Sequence, residues 1–203
     1  MNGDAEWQQW RRETFGVPGT VRRDGPQFTG LIEAARREPR RVERMLRAGL
    51  AAGDMLAAQS FTALAAAGLA PADAVSILRT ALVRATDEFR IRVAEALYTL
   101  TRDPGWAMPI AGALSGATSE LVRLDAAVAL GSFPPSTALV RALATAVRDP
   151  EYLVRYHAAN TLLRWSGDPR QVDGVPTLLE KLTGDTEGAW QAAADELTAR
   201  LSR

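Results

Sequence analysis

A chain of 203 residues, 47% apolar, is long enough to bury a substantial core. Its 24 basic and 24 acidic side chains cancel, which argues against phosphate-dominated binding, and the absence of cysteine excludes disulfides and thiolate metal sites. The first twenty residues lack the apolar core of a signal peptide, and no apolar run approaches a membrane span, so a soluble cytoplasmic protein is expected.

Residues 1–38 carry no repeat. A short helix bearing Trp7, Trp10 and Phe15 leads through Gly16-Val-Pro-Gly-Thr into a second helix around Phe28–Arg37. The expected role is a helical cap over the end of a repeat array, which otherwise exposes an apolar face. The alternative is that Trp7 and Trp10 belong to a binding site, because Trp is favoured at contact hot spots. Next comes the strongest basic segment, with Arg36, Arg37, Arg40, Arg41, Arg44 and Arg47. Interspersed Glu33, Glu38 and Glu43 at helical spacing point to a salt-bridged, solvated face, and duplex DNA is not an expected partner.

From residue 39 onward one pattern returns five times, starting at Leu56, Phe89, Val122, Val154 and Ala189, with steps of 33, 33, 32 and 35. Counting the first residue as zero, small or aliphatic side chains fall at 0, 4, 7 and 8, the spacing of a buried helical stripe. Pro39, Pro71, Pro104 and Pro135 echo the period and announce a second helix in each unit. Asp54, Asp87 and Asp149 stand where a carboxylate caps an inner helix. The spacing predicts helix pairs at 39–50/54–67, 71–84/87–101, 105–115/119–132, 135–147/150–166 and 175–183/187–202. Pro109 implies a kink or a later start in the third outer helix, and the step of 35 reflects extra loop residues in Ser166–Gly174. A fixed period of this length marks a solenoid whose units bury their apolar faces by stacking.

The strings Val122-Arg-Leu-Asp-Ala-Ala-Val-Ala-Leu-Gly and Asp149-Pro-Glu-Tyr-Leu-Val-Arg-Tyr-His-Ala-Ala-Asn-Thr-Leu-Leu resemble the inner helices of HEAT repeats. They are similar in particular to the short bacterial type also found in phycobilin lyases. The resemblance covers about 39–203 and implies an all-α, right-handed α-solenoid (a superhelix) of about five helix pairs, continuous over 39–203 behind the 1–38 cap, with the inner helices concave. It also implies a stacked Arg ladder, here restricted to Arg90, Arg123 and Arg155, because Ala57 and Trp190 replace the Arg in the first and fifth copies. On activity it is silent, since fold alone does not assign function.

His157 is the only histidine, which precludes a two-His metal site or a multi-His relay, and no Gly-rich loop suggests a nucleotide. No metal or cofactor is expected. The face opposite the buried stripe is placed at positions 2, 6 and 9. In the middle repeats this selects Ile91, Glu95, Tyr98, Leu124, Val128, Tyr156, Asn160 and Leu163, an unusually apolar set for an exposed helix face. An apolar patch rimmed by polar groups is what a protein-binding surface looks like. The expectation is a non-enzymatic interaction module (an adaptor, scaffold or inhibitor), monomeric or weakly dimeric, that binds another protein on this face, with no nucleic acid and no membrane as partner. The alternative is a lyase-like or ligand-binding protein whose pocket combines Tyr98, Tyr156, His157 and a carboxylate such as Glu95 or Asp125.

Overall fold

A computed structural model describes residues 3–16 and 26–202. Part of the expected Gly16-Val-Pro-Gly-Thr linker lies outside the described residues. Among the described residues there are twelve α-helices, two short 3₁₀ turns and no strand. The chain divides into two compact units, Met1–Asp103 and Pro104–Arg203.

In the first unit, α1 (Gly3–Phe15) and α2 (Thr29–Arg37) precede two helix pairs, α3 (Pro39–Ala51) with α4 (Met55–Ala66) and α5 (Ala74–Leu82) with α6 (Asp87–Thr101). The outer helices α3 and α5 pack together, as do the inner helices α4 and α6. Helices α1 and α2 pack on each other and on α3, and Trp7, Trp10 and Phe15 are buried there. Their rings form a chain that ends on Phe28, with centroid spacings of 5.5, 5.7 and 6.0 Å. These aromatics are part of the core of the first unit. The N-terminal helix also reaches the start of α4. Trp7 Nε1 donates to Asp54 at 2.9 Å, and Arg11 Nε lies 3.0 Å from the same oxygen, paired by charge but poorly aligned as a hydrogen bond.

In the second unit, α7 (Ala107–Gly116), α9 (Thr137–Ala146) and α11 (Pro176–Thr183) form the outer layer; α8 (Glu120–Leu130), α10 (Tyr152–Trp165) and α12 (Glu187–Leu201) form the inner one. The predicted pairs are recovered to within a few residues, and the prolines act differently from one copy to the next. Pro39 and Pro176 open their helices, where a missing N–H costs nothing. Pro71 and Pro135 instead lie before helices that begin at Ala74 and Thr137. Pro104 begins a 3₁₀ turn, and Pro109 sits in the first turn of α7, so that helix starts late rather than kinking.

Of the three expected Asp caps, Asp54 caps α4, accepting from Leu56 N at 2.9 Å, while Asp149 accepts from Glu151 N at 2.9 Å in the turn before α10, whose N-cap makes no side-chain bond. Asp87 does not cap: it is itself the first residue of α6, with φ 49°, and no side chain closes that terminus. Two inner helices end on glycine in the left-handed region, Gly68 (φ 69°) and Gly167 (φ 85°). Each lets the next amide reach back, Leu69 N to Leu64 O at 2.8 Å and Asp168 N to Leu163 O at 3.3 Å. The boundary between the units follows a comparable stop, with Arg102 left-handed (φ 57°) and Pro104 unable to continue the helix.

Candidate interaction surface

The inner layer of the second unit is fixed by its arginines. Arg123 makes a two-pronged contact with Asp149, Nε to Oδ2 at 2.7 Å and Nη2 to Oδ1 at 3.1 Å, which ties α8 to the turn before α10. Arg155, buried one repeat later, donates to Asp149 O (2.7 Å), Pro150 O (2.8 Å) and Leu182 O (3.0 Å). Its guanidinium lies 4.1 Å from the ring of Trp190, the residue that replaces the ladder Arg in the last copy. Trp190 Nε1 in turn donates to Gly184 O at 2.6 Å. The ladder thus ends on an aromatic face, a favourable seat for a desolvated cation. Arg90 is different, since its Nε donates to Ala85 O at 2.8 Å.

Two residues of the predicted contact set are not at the surface. Ile91 and Leu163 are fully buried, which corrects their placement on an exposed face. The reason is angular: at about 100° per residue positions −1, 3, 6 and 10 share one side of the helix, and positions 2 and 9 point away from it, where burial in the middle repeats ranges from half to complete. Tyr98 is half-buried, and Glu95 accepts from Arg92 Nη1 at 2.7 Å. Leu124 is half-buried on α8, and Val128 is 48% exposed.

Tyr156 and Asn160 hold a loop of their own chain. The Tyr156 hydroxyl donates to Asp173 Oδ2 at 2.9 Å and approaches Gln171 Oε1 at 3.3 Å, while Asn160 Oδ1 accepts from Val172 N at 2.8 Å. The extra residues behind the step of 35 therefore fold back over α10. Asp168 anchors their start, bonded by Arg170 Nη2 at 2.7 Å and Nε at 2.9 Å and approached by Arg200 at 3.3 Å. The Arg170 side chain first, then its backbone N–H, hold the Asp168 carboxyl down at about 2.

The open side carries two residues that the wheel missed, Leu121 (62% exposed) and Leu153 (52%). Both occupy position −1, one residue before the start of the pattern as counted, and Met55 is their exposed counterpart in the first unit. Extending the wheel back by one residue would have found them. Helices α8 and α10 pack against each other, with an axis spacing of about 8–10 Å, and Leu121 and Leu153 hold equivalent positions on them. His157, edge-on to Tyr156 at 5.4 Å, is half-buried, and desolvation pulls its pKa below 6.5.

The alternative pocket is not assembled within either unit: Tyr98 and Glu95 belong to the first, and Tyr156, His157 and Asp125 to the second. A cleft of about 640 Å³, open to solvent, lies in the first unit between α3, α5 and the start of α6, with Arg47, Ile77, Arg84 and Phe89 among its lining. Among the described residues no group of three or more His, Cys, Asp or Glu is arranged to hold a metal ion, and no helix is long and apolar enough to cross a membrane. Residues 108–198 match the family model described as HEAT repeats. That match is to the repeat as a class and carries no likeness to the lyases. No curated protein and no solved structure matches the chain.

Proposed function

We propose, for a chain that carries HEAT repeats, that it works by binding another protein on the open side of the inner layer in its second unit. HEAT repeats are generally interaction modules. The observation that carries the reading is the set Leu121, Val128 and Leu153, large apolar side chains about half or more exposed on two adjacent inner helices. Single exposed apolar residues are ordinary, but neighbouring ones at repeat-equivalent positions form a patch. Their exposure serves no packing within the unit.

Binding rather than catalysis is supported by the engagement of the candidate chemical groups. Tyr156 and Asn160 hold the 171–173 turn, Glu95 pairs with Arg92, and His157 is desolvated towards its neutral form. Against duplex DNA stand the ion pairs of the basic segment: Arg37 with Glu33, Arg41 with Glu38, and Arg47 with both Glu43 and Asp73. Affinity for duplex at physiological salt should be no tighter than the non-specific range, about 10–100 µM or weaker.

The test uses the whole chain as bait in lysate of its source organism, with the double variant Leu121→Glu, Leu153→Glu beside it. Loss of the captured partner with unchanged helical circular dichroism and melting supports the surface. Equal capture by both baits refutes it.

A further inference from the structure

The chemistry of this open side also says what kind of segment it takes. Resting on the interaction reading above, we infer that the occupant is a cationic amphipathic helix of the partner protein, its apolar stripe on Leu121, Val128 and Leu153 and its Lys or Arg flanks on the surrounding carboxylates.

Charge complementarity carries the first half of the argument. The inner helices α8, α10 and α12, with the turns that lead into them (117–130, 148–165 and 184–201), hold eight carboxylates and five arginines. That is an excess of three carboxylates, although Asp149 and Glu196 are themselves paired with Arg123 and Arg200. Arg123 is on Asp149, Arg155 on backbone carbonyls, Arg164 on Gly131 O, and Arg200 on Glu196 and Asp168. Glu120 immediately precedes Leu121 and Glu151 lies two residues before Leu153; both are exposed, so two carboxylates flank the apolar pair in sequence. Asp195 on α12 adds a third exposed carboxylate, bonded to the neutral amide of Gln191 at 2.7 Å. A partner with acidic flanks would meet like charge here, and one with basic flanks would meet opposite charge.

Backbone chemistry carries the second half. A layer of helices has its N–H and C=O groups closed within each helix and offers no edge for an extended strand to pair with. A helix brings its own backbone bonds closed and needs only side-chain contact. The patch has the right dimensions, because Leu121 and Val128 are seven residues apart, about 10 Å along α8, the reach of an i, i+7 stripe.

The experiment uses two synthetic helical peptides with the same leucine stripe, one flanked by Lys and the other by Glu, titrated by fluorescence anisotropy against the full chain. The Lys peptide is expected to bind about ten-fold more tightly at low salt, a preference that shrinks by 0.5 M salt as rim charges are screened. Leu121→Ser with Leu153→Ser should remove binding of the Lys peptide, and Glu120→Lys with Glu151→Lys should reverse the preference. All four positions are exposed, so folding should survive, and circular dichroism checks it. Equal binding of the two peptides, or a preference that the charge reversal leaves unchanged, overturns the inference. So does concentration-dependent dimerisation abolished by the Leu→Ser pair, which would make a second copy the occupant. If lysate capture depends on Leu121 and Leu153 while the peptides bind equally, the interaction reading stands and only the cationic helix falls.

Discussion

Gly49 offers the sharpest test of the packing, because two physical effects of opposite sign meet there. It sits inside α3, where helix propensity alone favours Gly→Ala by about 0.8–1 kcal/mol. A Cβ built at Gly49 would lie 2.7 Å from Ala57 Cβ and 2.7 and 2.8 Å from two ring carbons of Trp7. Ordinary carbon contacts are about 3.5–4.0 Å. Neither neighbour can yield easily: Ala57 and Trp7 are fully buried, and Trp7 is tethered through its N–H to Asp54. With contacts this short against neighbours this fixed, overpacking costs about 2–3 kcal/mol, so after the propensity gain Gly49→Ala should lose about 1–2 kcal/mol. For a chain of this size that is a fall in Tm of roughly 2–8 °C. The internal control is Gly112→Ala in α7, at an exposed position where an added Cβ meets nothing within 4 Å. That change should stabilise by about 0.5–1 kcal/mol. Thermal and urea melts followed by circular dichroism read both. If Gly49→Ala melts at or above wild type, the close approach of α1 to α3 is wrong.

Asp54→Ala should cost about 2–4 kcal/mol, since it removes a helix cap and leaves the buried Trp7 N–H without its acceptor; a urea midpoint unchanged from wild type would contradict this. Arg155→Lys should destabilise by about 1–3 kcal/mol, because an ammonium cannot serve three carbonyls and lie flat on Trp190; retention of wild-type stability and Trp fluorescence would count against it. Asp168, held near 2 against an ordinary 3.8, contributes stability in full above about pH 4 and loses it as pH falls through about 2. Asp168→Asn should therefore speed hydrogen exchange of the Val172 amide at pH 7, and equal protection would dissociate the loop from its anchor. His157 is a base with a depressed pKa, so its contribution is full above 6.5 and falls as pH drops below that value. His157→Gln should flatten that part of the stability profile in pH-dependent melts.

The sequence by itself determined the helices and their pairing. Small and aliphatic residues at 0, 4, 7 and 8 leave one buried face on each inner helix, and such a face is satisfied only by a neighbour with the same pattern. That is why a period near 33 residues placed these ten helices closely. It did not determine which flank of each inner helix stays open. Ile91 and Leu163 read as exposed on an isolated wheel and are buried in the folded units. Leu121 and Leu153 read as the ends of the pattern and are exposed because nothing in the unit reaches position −1. Nor could spacing show that the extra residues 166–174 would turn back onto Tyr156 and Asn160, since that depends on hydrogen-bond partners distant in the chain. Burial along one helix is a local, periodic property and is written in the sequence; the side of a helix that its neighbours leave uncovered is a property of the stack, and only the tertiary structure decides it.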